Sequence, residues 1–292
     1  MRILDIAIIG GGPAGIAAAL QLGRMGFVPT VFEGGRTGGL LLNANLVENY
    51  PGLNQPVSGL KLAGRLENQL ARSGAEVINA RVTELDYRDD RFYLRTADNT
   101  YTSRTVLLAT GTKARRIGAP AIPEKARHLV FSEIYTILES AGKDIAIVGA
   151  GDAALDYALN LARLNRVTIL NKSSRTKCLR LLFERAMAHE RITYRDNCKI
   201  ESIDIESSER LLLKLGPETM TCDYLVTAVG REPNLDLLSV NLKAQMQKLQ
   251  DKKILYLAGD VKNGIYRQAS IAAGEGIREA MKIAHFLQGR LS

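Results

Sequence analysis

The chain has 292 residues, 46% apolar and 24% charged, with 39 Lys and Arg against 31 Asp and Glu for a formal net charge of +8. That length accommodates about two domains, and the composition is that of an ordinary soluble globular protein with no low-complexity tract and no long charge block. No apolar run is long enough to span a bilayer, and Met1–Asp5 leads at once into a short strand and glycines rather than a signal peptide's apolar region, so a cytoplasmic location is expected.

Leu4–Ile9 is a short apolar, β-branched run that predicts a buried strand. It ends in Gly10-Gly11-Gly12-Pro13-Ala14-Gly15, a G-x-G-x-x-G loop, after which Ile16, Ala17 and Leu20 recur at helical spacing to about Met25. Val28–Phe32 predicts a second strand, ending on Glu33. Gly10 permits the tight turn, Gly12 lets the backbone approach a pyrophosphate, and Gly15 lets helix and strand pack closely. The helix N-terminus offers N–H groups and a positive dipole end to the phosphates. Glu33 lies 21 residues past Gly12, where an acid accepts hydrogen bonds from ribose hydroxyls.

Short strands are predicted next at Glu76–Ile78, Phe92–Arg95 and Thr105–Ala109, the last running into Thr110-Gly111. Ile145–Val148 is again a buried strand, followed by Gly149-Ala150-Gly151-Asp152-Ala153-Ala154 as G-x-G-x-x-A and by Ala154, Ala158 and Leu161 on one helix face. Arg166–Leu170 is the following strand and closes on Asn171, not on an acid, with Lys172, Arg175 and Lys177 in the loop beyond. Cations in place of the acid suit a 2′-phosphate, favouring NADP with NAD still possible; the alternative is solvated loop lysines and arginines. Further strands are predicted at Leu211–Leu215, Tyr224–Val229 and Ile254–Leu257, and a last helix from about Ser270 to Leu287.

This order predicts an α/β fold of two Rossmann-like domains, the second inserted in the first: residues 1–116 and 234–292 for one, 117–233 for the other. The expected hinges are the Gly/Pro links Gly118-Ala119-Pro120 and Gly230–Pro233. Cys178, Cys198 and Cys222 form no CxxC and read as reduced, unreactive thiols. His128, His189 and His285 are scattered, and no Cys/His spacing predicts a metal site. The positive charge points to nucleic acid, an acidic protein partner or an anionic cofactor; with no nucleic-acid motif and no Trp, nucleic acid is set aside.

Six stretches, in order along almost the whole chain, resemble the low-molecular-weight thioredoxin reductase family: GGGPAG, FEGGRTGGLLLNANLVENYPG (Phe32–Gly52), ATG (Ala109–Gly111), GAGDAA, AVGREPN (Ala228–Asn234) and LAGDV…YRQASIAAGEG (Leu257–Gly276). The resemblance implies two dinucleotides, FAD on the first loop and NADPH on the second, in a homodimer whose nicotinamide domain rotates. For FAD it implies Gly10, Gly12, Pro13, Ala14, Gly15 and Glu33 at the pyrophosphate and adenosine. Around the flavin and ribitol it implies Gly38, Gly39, Leu40, Asn49, Val82, Ala109, Thr110, Gly111, Gly259, Asp260, Arg267, Gln268 and Ala269. For NAD(P) it implies Gly149, Gly151, Asp152, Ala153, Ala154, Asn171, Lys172, Arg175 and Gly230. No side-chain acid or base is required, because hydride passes between nicotinamide and flavin.

The chain departs from that pattern in three places. The family's redox cysteines fall on Ser132 and Tyr135 of FSEIYTIL, which cannot form a disulfide. The family's HRRxxxR signature is NKSSRTK, Asn171–Lys177, and Leu40 stands where a glutamine is common. The chain also resembles the cysteine-free ferredoxin– or flavodoxin–NADP reductases of this family, but it stops at Ser292, without the C-terminal extension usual there. The leading expectation is an FAD-dependent NAD(P)H oxidoreductase exchanging electrons with an acidic protein such as ferredoxin or flavodoxin. The alternatives are a reductase of a small quinone, oxygen or disulfide compound, and a nucleotide-binding protein without turnover.

Overall fold

Alternation of apolar strands with glycine-started helices governs the architecture of the computed structural model, which describes residues 3–118, 120–207 and 209–291. Met1 and Arg2 of the N-terminal segment, Ala119 of the expected hinge and Ser292 lie outside the described residues. Six α-helices occur among the described residues: α1 (Pro13–Arg24), α2 (Gly59–Ala71), α3 (Asp152–Leu161), α4 (Arg180–Met187), α5 (Val240–Asp251) and α6 (Ala269–Leu291). The chain divides into two compact units, Met1–Leu42 with Val47–Lys113 and Glu232–Ser292, and Asn43–Leu46 with Ala114–Arg231. Both are Rossmann-like.

In the first unit Ile3–Ile9 is the central strand, paired in parallel with Thr30–Phe32 on one side and Thr100–Leu108 on the other. Glu76–Ile78 extends the sheet beyond Thr30–Phe32, and Leu255–Leu257 pairs in parallel with Thr100–Leu108. A hairpin, Glu84–Arg88 with Arg91–Arg95, adds antiparallel strands to the same sheet. Its two turn residues, Asp89 and Asp90, have φ of 50° and 53°, the left-handed pair of a tight hairpin that aspartate tolerates. Ile6, Ile8, Leu107 and Leu108 are fully buried in the sheet centre. Gly276 brings α6 against α1: a Cβ there would collide with the Ala14 carbonyl oxygen.

The second unit repeats the scheme. Its parallel sheet runs in the order Ile192–Arg195, Arg166–Leu170, Asp144–Val148, Tyr224–Thr227, Val130–Phe131. A three-stranded antiparallel sheet, Ser202–Ser207, Arg210–Leu215 and Glu218–Cys222, carries a second core of Ile203, Leu211, Leu213 and Leu225.

Several expected boundaries move, each for a physical reason. The strand expected from Val28 begins at Thr30: Pro29 has no N–H for the ladder and Val28 is 63% exposed. The strand expected at Thr105–Ala109 spans Thr100–Leu108, because its polar first half pairs with the hairpin. The strand expected to reach Val229 stops at Thr227, where Ala228 turns toward the second glycine loop.

Candidate functional site

In the first unit, the turns after Ile3–Ile9, Thr30–Phe32, Thr100–Leu108 and Leu255–Leu257, on the C-terminal edge of the sheet, carry expected FAD residues. This edge is where open α/β sheets bind ligands. Gly10 follows Ile3–Ile9 with φ +111°, and a Cβ there would collide with the Ala109 carbonyl. A Cβ on Gly15 would strike the Gly10 carbonyl oxygen. Both glycines are therefore demanded by the protein's own packing. Gly12 is different: its φ is −82° and the nearest atom to a Cβ would be Gly39 Cα at 4.0 Å. Gly12 is not crowded by the protein, and its bare backbone leaves room for the close approach of a pyrophosphate. α1 begins on Gly12 with Pro13 in its first turn and no side-chain cap among the described residues, leaving its N-terminus to an anion. By contrast, Ser58 and Ser239 cap α2 and α5.

Glu33 is fixed over this loop. One carboxylate oxygen accepts from the Gly11 N–H at 2.7 Å and the other from the Gly35 N–H at 2.8 Å. The Gly38 N–H donates to the Gly11 carbonyl at 2.8 Å, bringing Gly38, Gly39 and half-buried Leu40 back to the loop. Asn49 Nδ2 donates to Gln268 Oε1 at 2.9 Å, beside Arg267 and the Ala269 start of α6. Thr110 Oγ1 donates to the Asn234 carbonyl at 2.8 Å, and the Asn234 N–H donates to the Gly111 carbonyl at 3.0 Å. Gly259 has φ +79°, and its Cβ would lie 2.9 Å from Ala14 Cβ, which brings half-buried Asp260 to the same edge. Val82 lies in the loop that leaves the Glu76–Ile78 strand, its side chain buried with Leu85 and Leu94. These residues converge and fit an FAD.

The second unit builds the same cradle. Gly149 has φ +123°, and a Cβ would collide with the Ala228 carbonyl, as Gly10 does with Ala109. Among the described residues nothing lies within 4 Å of a Cβ on Gly151, so here too the backbone is open to a ligand. Ala154, third in the motif, is fully buried, and Ala153 stands exposed beside Asp152 in the first turn of α3. Gly230, with φ +113°, accepts from the Arg115 N–H at 2.9 Å through its carbonyl.

The basic loop is tied to this cradle by its backbone. The Lys177 N–H donates to the Ala150 carbonyl at 3.3 Å, and the Leu179 N–H to an Asp152 carboxylate oxygen at 2.6 Å. Lys172, Arg175 and Lys177 are exposed on it. Asn171 is buried: its Nδ2 donates to the Arg175 carbonyl and the Tyr194 hydroxyl, and its Oδ1 accepts from the Ser173 N–H. It shapes the loop and leaves the exposed cations to meet a phosphate. The arrangement fits NADP.

At the former redox positions Ser132 Oγ lies 2.9 Å from Thr227 Oγ1, and Tyr135 is 36% exposed. Arg231 pairs with Glu133 at 3.0 Å, and the Ile134 and Tyr135 N–H groups both donate to Asn43 Oδ1 within the second unit. The three cysteines are free; burial pushes the Cys222 thiol up to about 12, far from a reactive thiolate. Two features had no sequence signal: Asn43, and Asp156, whose carboxyl is pushed up to about 6 by burial while it accepts from the Asn45 N–H at 3.0 Å. Among the described residues no group of three His, Cys, Asp or Glu could hold a metal, and no helix is long and apolar enough to cross a membrane.

Comparison with known proteins agrees with this geometry. The family description "Pyridine nucleotide-disulphide oxidoreductase" fits residues 4–276. The thioredoxin reductase of Mycolicibacterium smegmatis is 30% identical over 97% of this chain and 96% of its own. That of Chlamydia trachomatis serovar D is 29% identical over 99% and 100%. The Lactococcus lactis thioredoxin reductase in its FR conformation superimposes with a TM-score of 0.83 at 22% identity, over 98% of this chain and 99% of that one. The chain therefore belongs to the pyridine nucleotide-disulphide oxidoreductases, in their low-molecular-weight thioredoxin reductase family, as an FAD- and NADP-dependent member without a CxxC.

Proposed function

We propose that this flavoenzyme exchanges electrons with an external acceptor directly, with no disulfide of its own in the path, and that the acceptor is an acidic electron-transfer protein of the ferredoxin or flavodoxin kind. The observation that carries the reading is the pair Ser132 and Tyr135 where a dithiol would stand, with Ser132 hydrogen-bonded to Thr227. When bound, nicotinamide and flavin supply the hydride transfer. The chain's own residues bind and orient: Glu33 and the two glycine loops hold the dinucleotides, and Lys172, Arg175 and Lys177 meet the 2′-phosphate. The net charge of +8 favours encounter with an acidic partner.

The test is steady-state turnover of the purified protein with NADPH against ferredoxin, flavodoxin, thioredoxin and small quinones. The reading expects ferredoxin or flavodoxin to be reduced and thioredoxin not to be. Turnover with thioredoxin, or with quinones alone, contradicts it.

A further inference from the structure

The Gly259–Asp260 turn of the first cradle is tied to α6 through a carboxylate side chain. Gly259–Val261 is a single 3-10 turn between the Leu255–Leu257 strand and a loop that reaches Tyr266. Ile265 and Tyr266 in that loop are 86% and 71% exposed, so the loop gains little hold from apolar packing. Glu275 lies in the second turn of α6. One of its carboxylate oxygens accepts from the Gly259 N–H at 2.8 Å and from Asn263 Nδ2 at 3.0 Å. One oxygen thus ties the two ends of the five-residue segment that contains Asp260.

The other oxygen of Glu275 faces Arg278 at 3.4 Å and Lys262 at 3.8 Å. Lys262 also approaches Glu279 at 3.7 Å, one turn further along α6. Glu279 is 5% exposed and is held by Lys282 at 3.0 Å and Arg278 at 3.4 Å. Three cations therefore surround two carboxylates and hold both in orientation. A carboxylate accepting a backbone N–H and an amide at once fixes direction as well as distance.

We infer that Glu275 is a positioning residue for FAD: it sets the Gly259–Asp260 turn so that Asp260 meets the ribitol, without touching the cofactor itself. The family resemblance supplies Asp260 but gives no role to Glu275. The inference rests on FAD binding at the first cradle and is independent of which acceptor is used.

The experiment measures FAD dissociation constants on reconstituted apoprotein, by quenching of flavin fluorescence, alongside the melting temperature of the apoprotein. Glu275→Ala is expected to weaken FAD by about tenfold or more, the scale of losing hydrogen bonds to a charged group. Glu275→Gln keeps an acceptor oxygen for Gly259 and Asn263 and is expected to stay within about threefold of the parent. The deciding comparison is the double-mutant cycle: in an Asp260→Ala background, Glu275→Ala is expected to cost nothing further, because it acts through Asp260. Additive losses, or an unchanged FAD constant in Glu275→Ala, overturn the inference. Should Glu275→Ala apoprotein fail to fold, Asn263→Ala removes one tether from outside the helix. Weaker FAD at an unchanged melting temperature then supports the inference, and unchanged FAD overturns it.

Discussion

The two glycine loops separate glycines that the protein's own packing needs from glycines whose backbone is open to a ligand. Gly10 and Gly149 sit at positive φ against the carbonyls of Ala109 and Ala228, so any side chain there is strained and clashing. Gly10→Ala is expected to destabilise its unit by roughly 2–4 kcal/mol, read by denaturant unfolding of apoprotein. Gly12→Ala has room and an ordinary φ. It is expected to change apoprotein stability by no more than about 0.5 kcal/mol while sharply reducing flavin content; equal effects of the two substitutions contradict the assignment. Glu33→Ala removes the acceptor for Gly11 and Gly35, and FAD retention is expected to fall about tenfold or more. A purified variant with undiminished yellow colour counts against Glu33 as the ribose acid.

At the scale of elements, strands flanked by glycine loops were legible in the sequence because burial on both faces leaves a continuous apolar run. Ile3–Ile9 and Asp144–Val148 carry that signature, and the residues after them fell where expected. What was illegible depended on long-range partners. The polar half of Thr100–Leu108 is a strand because Arg91–Arg95 pairs with it on one side and Ile3 and Leu4 on the other. Asn171 stands by position where the acid of the first loop stands, and its amide donates to Tyr194, 23 residues on, a partner no local pattern shows.

The basic loop gives a functional prediction at this scale. Lys172→Ala with Arg175→Ala is expected to raise the KM for NADPH severalfold more than that for NADH. Equal effects remove the 2′-phosphate role. Asp156 gives a stability prediction. Its carboxyl is raised from 3.8 to about 6, so the folded state prefers it protonated. The stability tied to that proton is complete below about pH 4 and is lost as pH rises through about 6. Asp156→Asn keeps an acceptor for the Asn45 N–H, and is expected to stabilise the protein at pH 7 by on the order of 2 kcal/mol, with the gain gone at pH 4. A gain that does not depend on pH contradicts the assignment.

At the scale of the whole molecule the question is where electrons go. The family's usual route stores a second electron pair in a dithiol. This chain has Ser132 and Tyr135 there, and its buried Cys222 offers no substitute. An excess of eight positive charges gives an acidic acceptor a salt-dependent encounter, so kcat/KM for such a partner is expected to fall severalfold between about 0.05 and 0.5 M salt. The most direct test of the central claim is an anaerobic reductive titration of the FAD-loaded protein. An enzyme without a redox disulfide takes up about two electrons per chain, all of them on the flavin. Uptake of about four, with the second pair recovered as protein thiols, would show a hidden dithiol and contradict the account.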